Sequence, residues 1–181
     1  MIESFRPAIL VLGTVLVAGC AAQPADPPDS GKGDPHDVQV TQPGRAACLS
    51  TSDDQNHSGA VATNAVRRNA GLAPVRPHPV LARVAAGHAC DMAMRGRMTH
   101  RGSATTGPGP RVKAAGYAPS VTAENIAAGP FSLNRVLAEW NASGGHRANM
   151  VIPQLRHYGI GRATGPDGRT QFWAAVYAAP R

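Results

Sequence analysis

The stretch that most constrains this chain lies near its C-terminal end. Tyr158-Gly159-Ile160-Gly161-Arg162-Ala163 and Thr170-Gln171-Phe172-Trp173-Ala174-Ala175-Val176-Tyr177 read as two strands, and Gly165-Pro166-Asp167-Gly168 between them is a strong turn signal. Together they predict a β-hairpin. Upstream, helical spacing dominates. A first helix is expected from a cap at Asp53 or Asn56 to about Ala70, closed by Gly71 with Pro74 beyond. Val61, Ala65 and Val66 form its apolar stripe, and Arg67 and Arg68 lie near the C-terminal end, where cations suit the helix dipole. A second helix is predicted from Pro77-His78-Pro79 to Arg95, with Val80, Leu81, Val84, Ala85, His88 and Met92 at helical spacing and Gly96 ending it. His88 thus falls on an apolar face, where a hydrogen-bonded core histidine is the expected role. A short helix over 110–116, a strand or extended loop over 121–127 and a helix over 131–141 follow. Leu133, Val136, Leu137 and Trp140 mark the inner face of the last. Helices with few strands in this order predict an α+β fold rather than βαβ units.

The first part of the chain is of another kind. At 181 residues the chain holds one domain plus accessories. The apolar run from Ala8 to Ala18 is shorter than the roughly 20 residues a membrane span needs and reads as the core of a secretory signal. Its end, Leu16-Val17-Ala18-Gly19-Cys20, resembles a bacterial lipobox, which implies that Cys20 becomes a lipidated first residue; ordinary cleavage near Ala21-Ala22 is the alternative. Ala21 lacks the acidic inner-membrane retention signal of some bacteria, so the expected location is the cell envelope, at the outer membrane. Residues 21 to about 44 are rich in Pro, Asp, Gly and Gln and read as a flexible tether. The expected organisation is a signal peptide over 1–19, a lipidated linker over 20–46 and one domain over 47–181.

Charge follows the same division. Of the 18 Lys and Arg only Arg6 and Lys32 precede Arg45, whereas Glu3, Asp26, Asp29, Asp34 and Asp37 do so among the 11 acids, leaving about +10 on the part beyond. Such charge suits anionic envelope surfaces. Nucleic acid is the other use of a basic chain, but an export signal and the absence of any nucleic-acid motif argue against it. Cys48 and Cys90, the pair left after Cys20, are expected to be bridged in an exported protein, contributing about 3–4 kcal/mol in the chain-entropy model.

The polar residues that could carry chemistry are His100, Glu124, Ser143 and His146, each from a separate segment. Glu139 to Met150 is the distinctive stretch: a helix end, a break at Gly144-Gly145, then His146, Arg147 and Asn149. There is no His-Glu-x-x-His, no nucleophile elbow around Ser143, no Cys-x-x-Cys and no phosphate loop.

Asn64-x-x-Arg67-x-x-x-Gly71-Leu72-x-Pro74, Pro79-x-Leu81, Ala85-x-x-His88-x-x-Asp91-Met92, Met98-Thr99-His100, Ala123-Glu124-Asn125-Ile126-Ala127 and Trp140-x-x-Ser143-x-x-His146-Arg147-x-Asn149 stand in one order. With Tyr158-Gly159-Ile160-Gly161 and the closing Trp173 and Val176-Tyr177, they resemble the bacterial branch of the CAP superfamily, which takes in cysteine-rich secretory proteins, antigen 5 and plant pathogenesis-related proteins of group one. The resemblance spans about residues 56–178. It implies an α-β-α sandwich with a small antiparallel sheet between helices, and a central cleft that many members line with two histidines and two glutamates. By position the histidines are His100 and His146 and the first glutamate is Glu124. Ser143 stands where the second glutamate would be.

Three readings of that cleft stay open: weak Zn²⁺ binding by His100 and His146 with Glu124, Glu124 as an outer partner fixing a histidine tautomer, or a structural role without metal. The resemblance favours a non-catalytic module that binds a lipid, an envelope ligand or a partner. A metal-assisted hydrolase with Glu124 as general base is the alternative, and a Ser143–His146 nucleophile pair lacks an orienting acid. Trp140, Trp173, Met92 and Met94 are expected in the core rather than in a lipid pocket.

Overall fold

The computed structural model describes residues 36–181. The signal peptide over 1–19, the lipobox with Cys20 and the start of the linker lie outside the described residues. In chain order the elements are β1 (Val38–Gln39), β2 (Ala47–Cys48), α1 (Asp53–Asn69), β3 (Arg76–Pro77), α2 (Pro79–Arg95), β4 (Arg97–Met98), α3 (Pro108–Ala114), β5 (Pro119–Gly129), α4 (Leu133–Ala142), α5 (Gly144–Met150), β6 (His157–Thr164) and β7 (Gln171–Pro180). Among the described residues the fold is α+β, as expected, with five helices where the sequence predicts four; α5 is the addition.

The hairpin β6–β7 is the spine of the central sheet. The strands run in the order β2-β6-β7-β5 with antiparallel neighbours, and β3 adds a short parallel pair on β6. β7 has sheet neighbours on both sides and helices on both faces, so every residue from Phe172 to Ala179 is buried. Its side chains divide by the period of two. Trp173, Ala175 and Tyr177 join Trp140, Tyr158, Ile160, Val136 and Met150 in one core, while Phe172, Ala174, Val176 and Ala178 join Leu81, Ala85, Ala89, Met92 and Val112 in another. The first core lies under α1, α4 and α5, the second under α2 and α3. The α-β-α layering follows from that division.

α2 lies unusually close to β6. A Cβ on Gly159 would stand 2.2 Å from the Ala82 nitrogen, and one on Gly161 would stand 2.1 Å from the Ala86 nitrogen. The glycines let helix and strand backbones touch, and the alanines of α2 suit the same approach. His78 caps this helix, its Nδ1 accepting from the Val80 N–H at 3.3 Å, with Pro79 in the first turn and Gly96 closing it at φ 63°.

α1 departs from its expected face. Ser52, not Asp53 or Asn56, is the cap, its hydroxyl accepting from the Gln55 N–H at 3.1 Å. Val61 is 54% exposed, while Asn56, Gly59, Ala60, Thr63, Val66 and Arg67 are buried. The inner face is half polar because it satisfies loop backbones rather than only filling a core. Asn64 exchanges two hydrogen bonds with the Val75 backbone, and the fully buried Arg67 donates to the carbonyls of Ala73, Met150, Ile152 and Leu155. Met94 likewise proves 46% exposed, whereas Trp140, Trp173 and Met92 are core as expected.

The segment read as linker is the other departure. From Asp37 it lies along the domain instead of leaving it. β1 pairs with β4, Val38 opposite Met98 and Gln39 opposite Arg97. Asp37 forms an ion pair with Arg97. The N–H groups of Val40 and Thr41 donate to the Gly96 carbonyl, Gly44 donates to Met94, and the Gln39 side chain donates to the Arg95 and Gly96 carbonyls. The physical reason is the end of α2. Its last carbonyls have no intrahelical donors, and this arm supplies them. Gly96 has no room for a side chain, since a Cβ there would meet the Thr41 carbonyl oxygen at 2.2 Å. Beyond the arm, the Cys48–Cys90 disulfide ties β2 to α2, as expected.

Candidate functional site

Glu124 is the hub of the polar cluster. It lies within β5 opposite Val176 and is 4% exposed. The strand's alternation sends its side chain towards α2 and α3 and that of Asn125 towards α5. Both carboxylate oxygens are engaged. His100 Nδ1 donates to Oε1 at 2.9 Å, and Arg111 Nη2 donates to Oε2 at 2.5 Å. His88 Nε2 stands 3.6 Å from Oε1 and donates to the Thr99 carbonyl at 2.9 Å. Arg111 Nη1 donates to the His100 carbonyl at 2.9 Å. His88 and Arg111 therefore grip the backbone at Thr99 and His100, while Glu124 grips the imidazole between them.

The electrostatics follow from that packing. Burial alone would push the Glu124 carboxyl up, but the His100 hydrogen bond and the neighbouring His88 and Arg111 outweigh it and hold it below the ordinary value. Burial drives His88 down to about 4, with Glu124 offsetting only part of the effect, so its ring is neutral at pH 7. The expected hydrogen-bonded core histidine is thus what the fold contains. His146 is lowered too, first by burial and then by the neighbouring imidazoles of His36 and His100.

α5 delivers His146, and asparagines hold α5. Asn149 Nδ2 donates to the Glu124 carbonyl at 3.0 Å and to Asn125 Oδ1 at 2.9 Å, and Asn125 Nδ2 donates to the His146 carbonyl at 3.2 Å and to the Tyr177 hydroxyl at 3.3 Å. Trp140 donates from Nε1 to the Ile126 carbonyl at 3.2 Å, and its ring lies 6.3 Å from that of His146. The Nδ1 atom of His146 is buried with no hydrogen-bond partner among the described residues.

The break before His146 differs from the expected one. Gly144 and Gly145 are inside α5, neither has a positive φ, and a Cβ on either would touch nothing within 4 Å. The turn is made by Ser143, which is extended at ψ 125° and joins α4 to α5. Its N–H donates to the Glu139 carbonyl, its own carbonyl accepts from Arg147, and its hydroxyl forms no capping bond. Ser143 is therefore a joint in the chain, and the structure shows no pairing between it and His146.

Two neighbours of the cleft went unread in the sequence. Arg111 is one of the chain's 18 Lys and Arg, set on a seven-residue helix, and nothing local marks it as the partner of a carboxylate thirteen positions away. His36 comes from the arm. Its ring centroid is 5.7 Å from that of His100, edge to face, and 6.3 Å from that of His146. A lone histidine in a Pro- and Asp-rich stretch carries no signal of that kind.

Residues 61–177 match the model of the CAP, cysteine-rich secretory protein, family. The chain belongs to the CAP family. It is 31% identical over 99 residues to the uncharacterized protein YkwD of Bacillus subtilis, a match covering 55% of this chain and 38% of that one. The chain thus spans well under half the length of this curated relative. Among solved structures, an outer surface protein of Borrelia burgdorferi superposes with a TM-score of 0.64 at 19% identity, covering 76% of this chain and 99% of the other. An extracellular SCP-domain protein of Bacillus anthracis superposes at 0.61 and 24% identity, covering 70% of this chain and 41% of that one. These likenesses fix the fold. In this CAP domain the Glu-Asn motif has a plain physical meaning: Glu124 orients His100, and Asn125 orients the helix that carries His146.

Proposed function

We propose that this CAP domain is a non-catalytic binding module of a bacterial envelope, anchored through a lipidated Cys20, whose cleft takes a divalent metal ion such as Zn²⁺ through His100 and His146. The observation that carries this reading is the engagement of both Glu124 oxygens. A carboxylate that accepts from an imidazole N–H fixes the ring's tautomer, so the lone pair of His100 sits on Nε2, as in carboxylate–histidine–metal arrangements. The orphaned Nδ1 of His146 fits the same use, because a buried nitrogen without a partner is costly unless something ligates it. Burial holds the His146 ring towards its neutral, ligating form. A bound ion would supply positive charge to hold an anionic or carbonyl group of a partner molecule in the cleft.

The hydrolase alternative is less well supported. A general base works best with a pKa near the working pH, and Glu124 is held below the ordinary carboxylate value while fully engaged by His100 and Arg111. Export and anchoring draw on the lipobox, and the two structural relatives described as an outer surface protein and an extracellular protein accord with that location.

Calorimetric titration of the purified protein with Zn²⁺ tests the cleft. The wild type should bind and the His100→Ala/His146→Ala double variant should not; superimposable isotherms would dismiss the site. Anchoring is tested separately by Cys20→Ala, which should move the protein from the membrane to the soluble fraction. Unchanged fractionation would remove that part of the reading.

A further inference from the structure

Ser143 brings no carboxylate to the cleft, but this chain brings another donor to it. We propose that His36, carried by the arm, is a third imidazole of the divalent-metal site, so that the segment preceding the domain completes the cleft. The inference rests on the metal-binding reading above and goes beyond it in naming a ligand from outside the family-matched residues 61–177.

Placement is the first support. The ring of His36 stands beside both cleft histidines, 5.7 Å from His100 and 6.3 Å from His146 between centroids. Imidazoles on one tetrahedral Zn²⁺ ion, with Zn–N near 2 Å, have centroids about 5 Å apart. Among the described residues no three His, Cys, Asp or Glu side chains already converge on a metal position. The His36 ring therefore needs to draw in by up to roughly an ångström towards each of the other two, within the reach of side-chain rotation at an exposed residue.

The mounting of the arm is the second support. His36 adjoins Asp37, which is ion-paired to Arg97, and Val38, which pairs with Met98 just before Thr99 and His100. The backbone beyond it is held by the Gly96 and Met94 carbonyls. His36 is thus tied in register to the strand that leads into His100, instead of sweeping through solvent. A donor so placed binds at high effective concentration and costs little ordering entropy. The chemistry is the third support. Three imidazole nitrogen donors with an open fourth position form the set that suits Zn²⁺, and with adjustment of geometry Cu²⁺ or Ni²⁺.

The test is titration of the full-length chain with Co²⁺, read by visible absorption, and with Zn²⁺, read by calorimetry, in the wild type and in His36→Ala and His100→Ala. His36→Ala should weaken Zn²⁺ binding by more than the roughly 10–100-fold that loss of an outer-shell partner brings. It should also reduce the intense visible bands of four-coordinate Co²⁺ to the weak absorption of a six-coordinate ion. Equal affinity and spectra in wild type and His36→Ala, with loss only in His100→Ala, would overturn the role of His36 and leave the two-histidine site standing. No binding by the wild type would overturn both. Circular dichroism of His36→Ala should match the wild type, since the residue is exposed.

Discussion

Replacing Arg67 with methionine should cost the domain about 3–5 kcal/mol of stability, with a fall in Tm of about 10 °C or more. The residue is fully buried, and its guanidinium is met by main-chain carbonyls rather than by an acid. Those carbonyls belong to Ala73 after α1, to Met150 at the end of α5, and to Ile152 and Leu155 between α5 and β6. One side chain thus satisfies loop backbone that would otherwise be buried without donors, each such group costing about 1–3 kcal/mol. Methionine matches the apolar stem and isolates the hydrogen bonding. Arg67→Lys should recover little, because an ammonium lacks the planar fork that reaches several carbonyls at once. Urea unfolding followed by circular dichroism measures both. A loss under about 1 kcal/mol would mean that water replaces the guanidinium.

Gly161→Ala should be comparably severe, costing about 3 kcal/mol or more, at or beyond the upper end of ordinary overpacking. The added Cβ would meet the backbone of α2 at Ala86 N (2.1 Å), Ala86 Cα (2.2 Å) and Ala85 C (2.5 Å). Backbone cannot swing aside as a side chain does, so helix and strand must separate along the interface that Leu81, Ala85 and Ala89 fill. Gly144→Ala is the companion measurement. Its Cβ meets nothing, the position is helical, and the change should stabilise by up to about 1 kcal/mol. Thermal melts of the two variants should move in opposite directions, and a neutral Gly161→Ala would contradict the close approach of α2 to β6.

These residues also show what could be read in advance. Gly159 and Gly161 are legible as part of a strand, and the hairpin, α2 and the helix that carries Trp140 emerge from period and turn chemistry because those signals are local. On α1 apolarity alone does not mark the buried face: Val61 is exposed, while the inner side carries Asn64 and Arg67, which satisfy distant loop backbones. The break expected at Gly144-Gly145 falls one residue earlier, at Ser143, because glycine permits a turn without requiring one. In the cleft, His100, Glu124 and His146 are legible through the motifs of the family resemblance, and the fold sets His100 against Glu124. Arg111 and His36 are not legible, as each is positioned by a neighbour in space that leaves no trace in sequence order. The arm misled for the same reason: its composition describes a chain that cannot build a core, but not one that can donate to the carbonyls at another helix's end.

The disulfide and the arm together determine where tension enters the molecule. A pull arriving at His36 along the preceding chain first loads the short β1–β4 ladder and the Asp37–Arg97 ion pair, which can peel bond by bond. What lies behind them is covalent: the Cys48–Cys90 crosslink passes the load to α2, which is braced against β6. The 42-residue separation between the cysteines keeps α1 and β3 out of that path. A drag on the chain before His36 therefore opens the β1–β4 ladder before it reaches the disulfide, making the arm the yielding part of a body closed behind it by a covalent bond.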